Sequence, residues 1–264
     1  MNKFAHTLAA FFITVSVCNA GQRKKEDPVA PVPPLISYGT FPLPLARTYI
    51  ITKPGTPTSA AKEMNSPFPD DFPPCVEIDL EDARAYKIPA GSYAFPSVNA
   101  LRVYRIGYTK AASYNTIQSY IGLLQNLLKM RPTAFRNDNK TVNNLPDYPS
   151  RNSAHGFDLH VHYVDAQWGS GIGYMTIFTQ DGSNHATNDE LQYIFQGLSK
   201  DGQYYIAADF RITHPKLKKF NPDVEKGDYT PDVKLLEPLK ENSFTPAIGQ
   251  IVKWLGTLKI GDQK

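Results

Sequence analysis

Cysteine is almost absent from this chain. There are two in 264 residues, and the first, Cys18, falls inside an apolar N-terminal stretch. With that stretch removed Cys75 stands alone, so no intramolecular disulfide is expected and stability has to come from a hydrophobic core. Charge of one sign is lacking too: 28 Lys and Arg face 25 Asp and Glu, a net charge of +3. That balance gives no electrostatic footprint for nucleic acid or an anionic surface. There is no Gly-x-Ser-x-Gly, no His-Glu-x-x-His and no Walker-type loop, so the common nucleophile, zinc-hydrolase and nucleotide signatures are missing and no cofactor is implied.

The N-terminus reads as a secretory signal. Lys3 supplies the positive end, Leu8 to Val17 is mostly apolar, and Cys18-Asn19-Ala20 ends in a small residue before Gly21. The run is too short for a membrane span, and cleavage is expected after Ala20. A lipoprotein site at Cys18 is the less favoured alternative, because Val17 precedes it where Gly, Ala or Ser is usual. Residues 21–34 are charged and then Pro-rich, a tether. Residues 35–260 are expected to form one domain, secreted or periplasmic, with no transmembrane span once the signal is gone.

What is present is β-pattern. Phe157, Leu159, Val161 and Tyr163 alternate with Asp158, His160, His162 and Val164, which places the two histidines on one face and the apolar set on the other. Trp168-Gly169-Ser170-Gly171 turns the chain into a second strand, Ile172 to Gln180. The run Tyr193 to Leu198 and the run Gln203 to Ile212 flank Asp201-Gly202, an Asp-Gly signal for a type I′ hairpin. Together these predict an antiparallel meander over 157–213.

Elsewhere, Leu35 to Phe41, Arg47 to Thr52, Val76 to Leu80 and Ala100 to Tyr108 read as strands. Six prolines between Lys53 and Pro74 make a long loop. Ile117, Tyr120, Ile121, Leu124, Leu127 and Leu128 recur at helical spacing up to Pro132, a helix over about 116–130. Arg136 to Arg151 reads as loop, as do about thirty residues after Ile212. A last helix is expected to start at Thr245 as N-cap with Pro246 in its first turn. The class is α+β: a mainly antiparallel sheet of six to eight strands, with the central and C-terminal helices packed on it.

Candidate chemistry is thin. His160-x-His162 on a strand could present two imidazoles to one metal, with His155 and Asp158 completing the set. The plainer reading, two polar residues on a wet strand face, is favoured. Tyr174, Tyr193, Tyr204 and Tyr205 could line a ligand groove, although strand aromatics more often form core pairs. Adjacent Tyr204 and Tyr205 must face opposite sides of the sheet, one of them the less buried. Cys75, in a Pro-rich loop beside Asp70, Asp71 and Glu77, has no feature that would activate a thiol. Gly169-Ser170-Gly171-Ile172-Gly173 opens a strand, whereas a dinucleotide loop must open a helix. Lys216, Lys218 and Lys219 read as a solvated basic loop.

The block Gly169 to Thr176, the run Asn188 to Leu198, then Asp201 to Ile206 and His214-Pro215 resemble a group of uncharacterised secreted proteins and lipoproteins of bacteria. The resemblance extends from about Ile36 to the final helix. It implies a secreted α+β domain and no particular activity. The chain departs from the pattern at Gly173, where Arg is common, and His160 and His162 are not motif positions.

Three functions follow as expectations. The first is a non-enzymatic module that binds a protein or an envelope component, with an exposed apolar patch. The second is a small-ligand or metal carrier with a concave pocket. The third is a hydrolase whose site is assembled from loops and holds titratable groups with shifted pKa values.

Overall fold

The computed structural model describes residues 34–39, 45–53, 73–82, 99–111, 114–135, 145–149, 153–179, 186–217 and 229–261. The expected leader and nearly all of the expected tether lie outside these residues. So do most of the Lys53–Pro74 loop, residues 136–144 of the middle loop, and Lys218 and Lys219.

Seven antiparallel strands form the main sheet: β2 (Leu45–Lys53), β3 (Cys75–Asp82), β4 (Ala100–Arg105), β6 (Leu159–Asp165), β7 (Gly169–Thr176), β9 (Gln192–Ser199) and β10 (Tyr204–Arg211). Their order is β2-β3-β4-β10-β9-β7-β6. The meander is therefore present as β6-β7-β9-β10, and β10 also pairs with β4, which joins it to the N-terminal strands. Two small ladders lie outside it. β1 (Leu35–Ser37) pairs with β11 (Lys259–Gly261), a strand the sequence pattern did not show, and β5 (Ala154–His155) pairs with β8 (Phe178–Thr179).

Both faces of the central strands β4, β10, β9 and β7 are buried. One carries Leu101, Val103, Ile206, Ala208, Tyr193 and Phe195 and packs against the C-terminal helix α4 (Ile248–Leu255), with Trp254 edge-on to Phe210. The other carries Tyr104, Tyr205, Ile194, Ile172 and Tyr174 and packs against helix α2 (Asn115–Met130) through Ile117, Ile121 and Leu124. The two helices thus lie on opposite faces. Tyr204 and Tyr205 do point opposite ways, but neither face is the wet one, because both rings are fully buried. At its C-terminal end α2 is capped by Arg131 in left-handed backbone, just before Pro132, and Arg131 reaches edge strand β6 through an ion pair with Asp165.

Several boundaries differ from the sequence reading. The strand from Ala100 stops at Arg105, and residues Ile106–Ala111 form a short helix, α1. Part of the expected loop after Ile212 is helix α3 (Thr230–Leu236) followed by a 3-10 turn at Glu241–Ser243. The last helix begins at Ile248, not Thr245. Thr245 instead exchanges both backbone hydrogen bonds with Thr213, and Ala247 stands at the N-cap position.

The hairpin turn also differs. Gly202 N–H donates to the Ser199 carbonyl at 2.9 Å, and of residues 200–203 only Gly202 has positive φ, at +69°. This is a four-residue loop built on an ordinary turn with one left-handed glycine, instead of a two-residue I′ turn. Side chains set its length. Ser199 Oγ donates to Asp201 Oδ1 at 2.6 Å and accepts from Tyr204 N–H at 2.9 Å.

Cys75 is the first residue of β3 and is buried, not part of a loop. The glycines at 169–173 lie wholly within β7. A Cβ at Gly171 would come within 2.4 Å of the Phe195 ring and one at Gly173 within 1.9 Å of the Tyr193 hydroxyl, so these two positions are glycine because aromatic side chains from β9 lie across them.

Candidate functional site

The four proposed metal ligands divide between the two faces of the sheet. The cause is a β-bulge in β6. Leu159 pairs with Met175 but His162 pairs with Gly173, so two residues of β6 oppose one of β7. His160 takes the bulge, with φ +50°. The extra residue reverses the alternation. Leu159 and Val164 join the core under α4, whereas Val161 and Tyr163 pack on the α2 side. The simple period-two reading of 157–164 is corrected accordingly.

On the α4 side, His162 Nδ1 lies 2.9 Å from the His160 carbonyl, which can only accept. Nδ1 therefore carries the proton, and Nε2 accepts from the Tyr193 hydroxyl at 2.8 Å. Glu241 Oε1 is 3.8 Å from the same Nδ1. His160 donates from Nε2 to the Leu236 carbonyl at 3.2 Å, and its ring lies edge-on to Phe244. The buried His214 also packs against Phe244. These contacts fasten residues 236–245 to the edge of the sheet. Both ring nitrogens of His162 and Nε2 of His160 are engaged by protein partners. Burial, with Glu241 adding to it, pushes the Tyr193 phenol well above its ordinary pKa, so it stays a donor.

On the α2 side lies a second arrangement. Residues 145–149 form neither helix nor strand, yet all are buried. Tyr174 Oη donates to the Pro146 carbonyl at 2.9 Å, and Gln196 Nε2 donates to the Tyr148 carbonyl at 2.9 Å. The Tyr205 hydroxyl donates to Gln196 Oε1 at 2.5 Å, which fixes the amide orientation. The Tyr148 ring is 5.3 Å from Tyr104, 5.8 Å from Tyr120 and 6.2 Å from Tyr205. His155 sits between two carboxylates, Nδ1 at 2.9 Å from Asp158 and Nε2 at 3.5 Å from Asp147. Burial alone would lower its pKa, but hydrogen bonds to Asp147 and Asp158 outweigh that and push it up to about 9. His155 is thus an imidazolium at neutral pH, with both nitrogens engaged.

The same face holds a buried charge cluster. Arg102 Nε lies 2.7 Å from Glu77 and Nη1 lies 3.2 Å from Asp209. Burial opposes the charge of Arg102, but Asp209, Tyr104 and Glu77 reverse that and hold the guanidinium above its ordinary pKa.

So the proposed set His155, Asp158, His160 and His162 is not brought to one point, and among the described residues no group of three or more His, Cys, Asp or Glu could hold a metal ion. The tyrosines divide likewise: Tyr174 and Tyr205 face α2, and Tyr193 and Tyr204 face α4. All four are buried, so they do not line one groove. Tyr204 packs under the Arg105 guanidinium at 5.3 Å. Sequence reasoning missed Asp147, Tyr148, Gln196, Glu241 and the Glu77–Arg102–Asp209 cluster. The one available signal was Glu77 and Arg102 in two strand-like runs, and pairing them needs the register of β3 against β4.

No helix among the described residues is long and apolar enough to cross a membrane. The large hydrophobic side chains exposed among the described residues are Leu35 and Met130, one at the start of the domain and one at the end of α2. No family model, no curated protein and no solved structure matches the chain.

Proposed function

We propose that the chain is a secreted or periplasmic module that binds a protein or an envelope component and performs no chemistry of its own. The observation that carries this reading is the use of His155. It is a buried acid–base group on the α2 side, and both its nitrogens are committed to Asp147 and Asp158, so it acts as a fixed cation joining two segments. A general base needs a nitrogen within reach of a substrate proton. The leader, the Pro-rich tether and the likeness of residues 157–215 to secreted bacterial proteins support the location. The test is a cross-linked capture with the tagged chain from residue 21 onward, on the envelope fraction of its own source. One component retained near one-to-one supports the reading. A folded preparation that retains nothing overturns it.

A further inference from the structure

Residues Leu145 to Pro149 lie across the α2 face much as a bound peptide would. They belong to no helix or ladder, and side chains from other elements bind them. Two carbonyls accept from fixed donors, Tyr174 and Gln196. The Tyr148 ring fills an aromatic pocket with Tyr104 and Tyr120 on its walls. The carboxylate just before it faces the charged His155. Side-chain donors oriented toward main-chain carbonyls, one aromatic pocket and one cation are elements by which peptides are recognised. Gln196 is itself held by the buried Tyr205 hydroxyl, so the donor is positioned whether or not the segment is there.

We propose that this groove is a peptide-recognition site, filled in cis by Leu145–Pro149, which takes from a partner protein a segment bearing an acidic residue followed by tyrosine. This rests on the binding-module reading and gives that module its site and its ligand chemistry. The cis segment competes at an effective concentration on the order of millimolar, so exchange with a partner segment gates binding. Opening breaks side-chain contacts and leaves the main ladders β9-β10 and β7-β9 whole, which makes local release cheaper than global unfolding.

Two measurements decide it. Hydrogen exchange on the intact chain is expected to show the amides of Leu145, Asp147 and Tyr148 opening while those of β9 and β10 stay protected. Exchange of all three only with global unfolding overturns the proposal, and this measurement needs no variant to fold. In the second, the labelled hexapeptide Leu-Pro-Asp-Tyr-Pro-Ser is titrated onto the full chain carrying D147A and Y148A, with folding checked by near-UV circular dichroism. Saturable binding is expected, about tenfold weaker on the unsubstituted chain and about tenfold weaker again for a peptide with Ala in place of Tyr. Equal binding of both peptides, or of neither, overturns the groove. If that happens while the envelope capture still retains a component, the site fails and the module reading stands.

Discussion

The Tyr193 hydroxyl lies directly over Gly173, so close that a Cβ on residue 173 would come within 1.9 Å of it. Gly173 pairs with His162 across β6 and β7, and the missing side chain is what lets the Tyr193 hydroxyl reach His162 Nε2. An Arg at this position is incompatible with Tyr193 where it stands. Gly173→Ala is expected to destabilise by roughly 1–3 kcal/mol through overpacking, and more where the His162 bond is lost as well. Urea denaturation measures it. In a Tyr193→Phe background the penalty should shrink without vanishing, because the ring carbon below the hydroxyl is still 2.6 Å from the added Cβ.

His155 makes stability depend on alkaline pH. Its folded pKa is raised to about 9, above the ordinary value near 6.5 for an unfolded histidine. The contribution is therefore fully present below about pH 6.5 and is lost as pH rises through 9. The size is on the order of 3 kcal/mol, since each tenfold gain in proton affinity is worth about 1.36 kcal/mol. Melting followed from pH 6 to pH 10 should show this decline. A His155→Gln chain should be less stable at pH 6 and much flatter over the same range. A parallel decline in both chains would remove His155 as the cause.

Removing Arg102 leaves Glu77 and Asp209 buried together without their shared cation. Arg102→Met is expected to cost about 3–5 kcal/mol, as for other buried pairs broken on one side. Adding Glu77→Gln and Asp209→Asn should recover part of that loss, since the like charges are then gone. A triple variant no more stable than Arg102→Met alone would mean that the arginine contributes by packing.

Zinc should leave the melting temperature where it is. A ligand at a hundred times its Kd adds about 2.7 kcal/mol, or roughly 5–10 °C for a chain of this size. His162 Nε2 is occupied by Tyr193, and His155 lies on the opposite face with Tyr174. A saturable upward shift lost in a His160→Ala, His162→Ala chain would restore the metal reading.

At the hairpin, Gly202→Ala forces a Cβ into left-handed backbone and should cost roughly 1–2 kcal/mol. Gly202→Asn should cost less, because Asn tolerates that region better. The ratio of the two losses, read by thermal melts, separates backbone strain from contact loss, as nothing lies within 4 Å of an added Cβ there.

How far the fold was legible depends on range. The β9–β10 hairpin, the α2 stripe of Ile117, Ile121 and Leu124, and the α+β class rest on periodicity and turn chemistry, and both act between near neighbours. His160 shows where that ends. Nothing around it signals a left-handed residue, and a single inserted position turned the rest of β6 over. Thr245 is similar: it reads as a helix cap, but Thr213 holds it in an extended bridge.

The sequence by itself determined the alternation that makes strands, the stripe that makes α2, and the lack of a disulfide framework, because each is a local or compositional property. Tertiary structure alone decided which face each histidine and tyrosine occupies, and which charges meet. Arg102 finds Glu77 and Asp209 across 25 and 107 residues of chain. Such distant charges are neighbours only once strand order and register are set, and burial then makes their pairing obligatory.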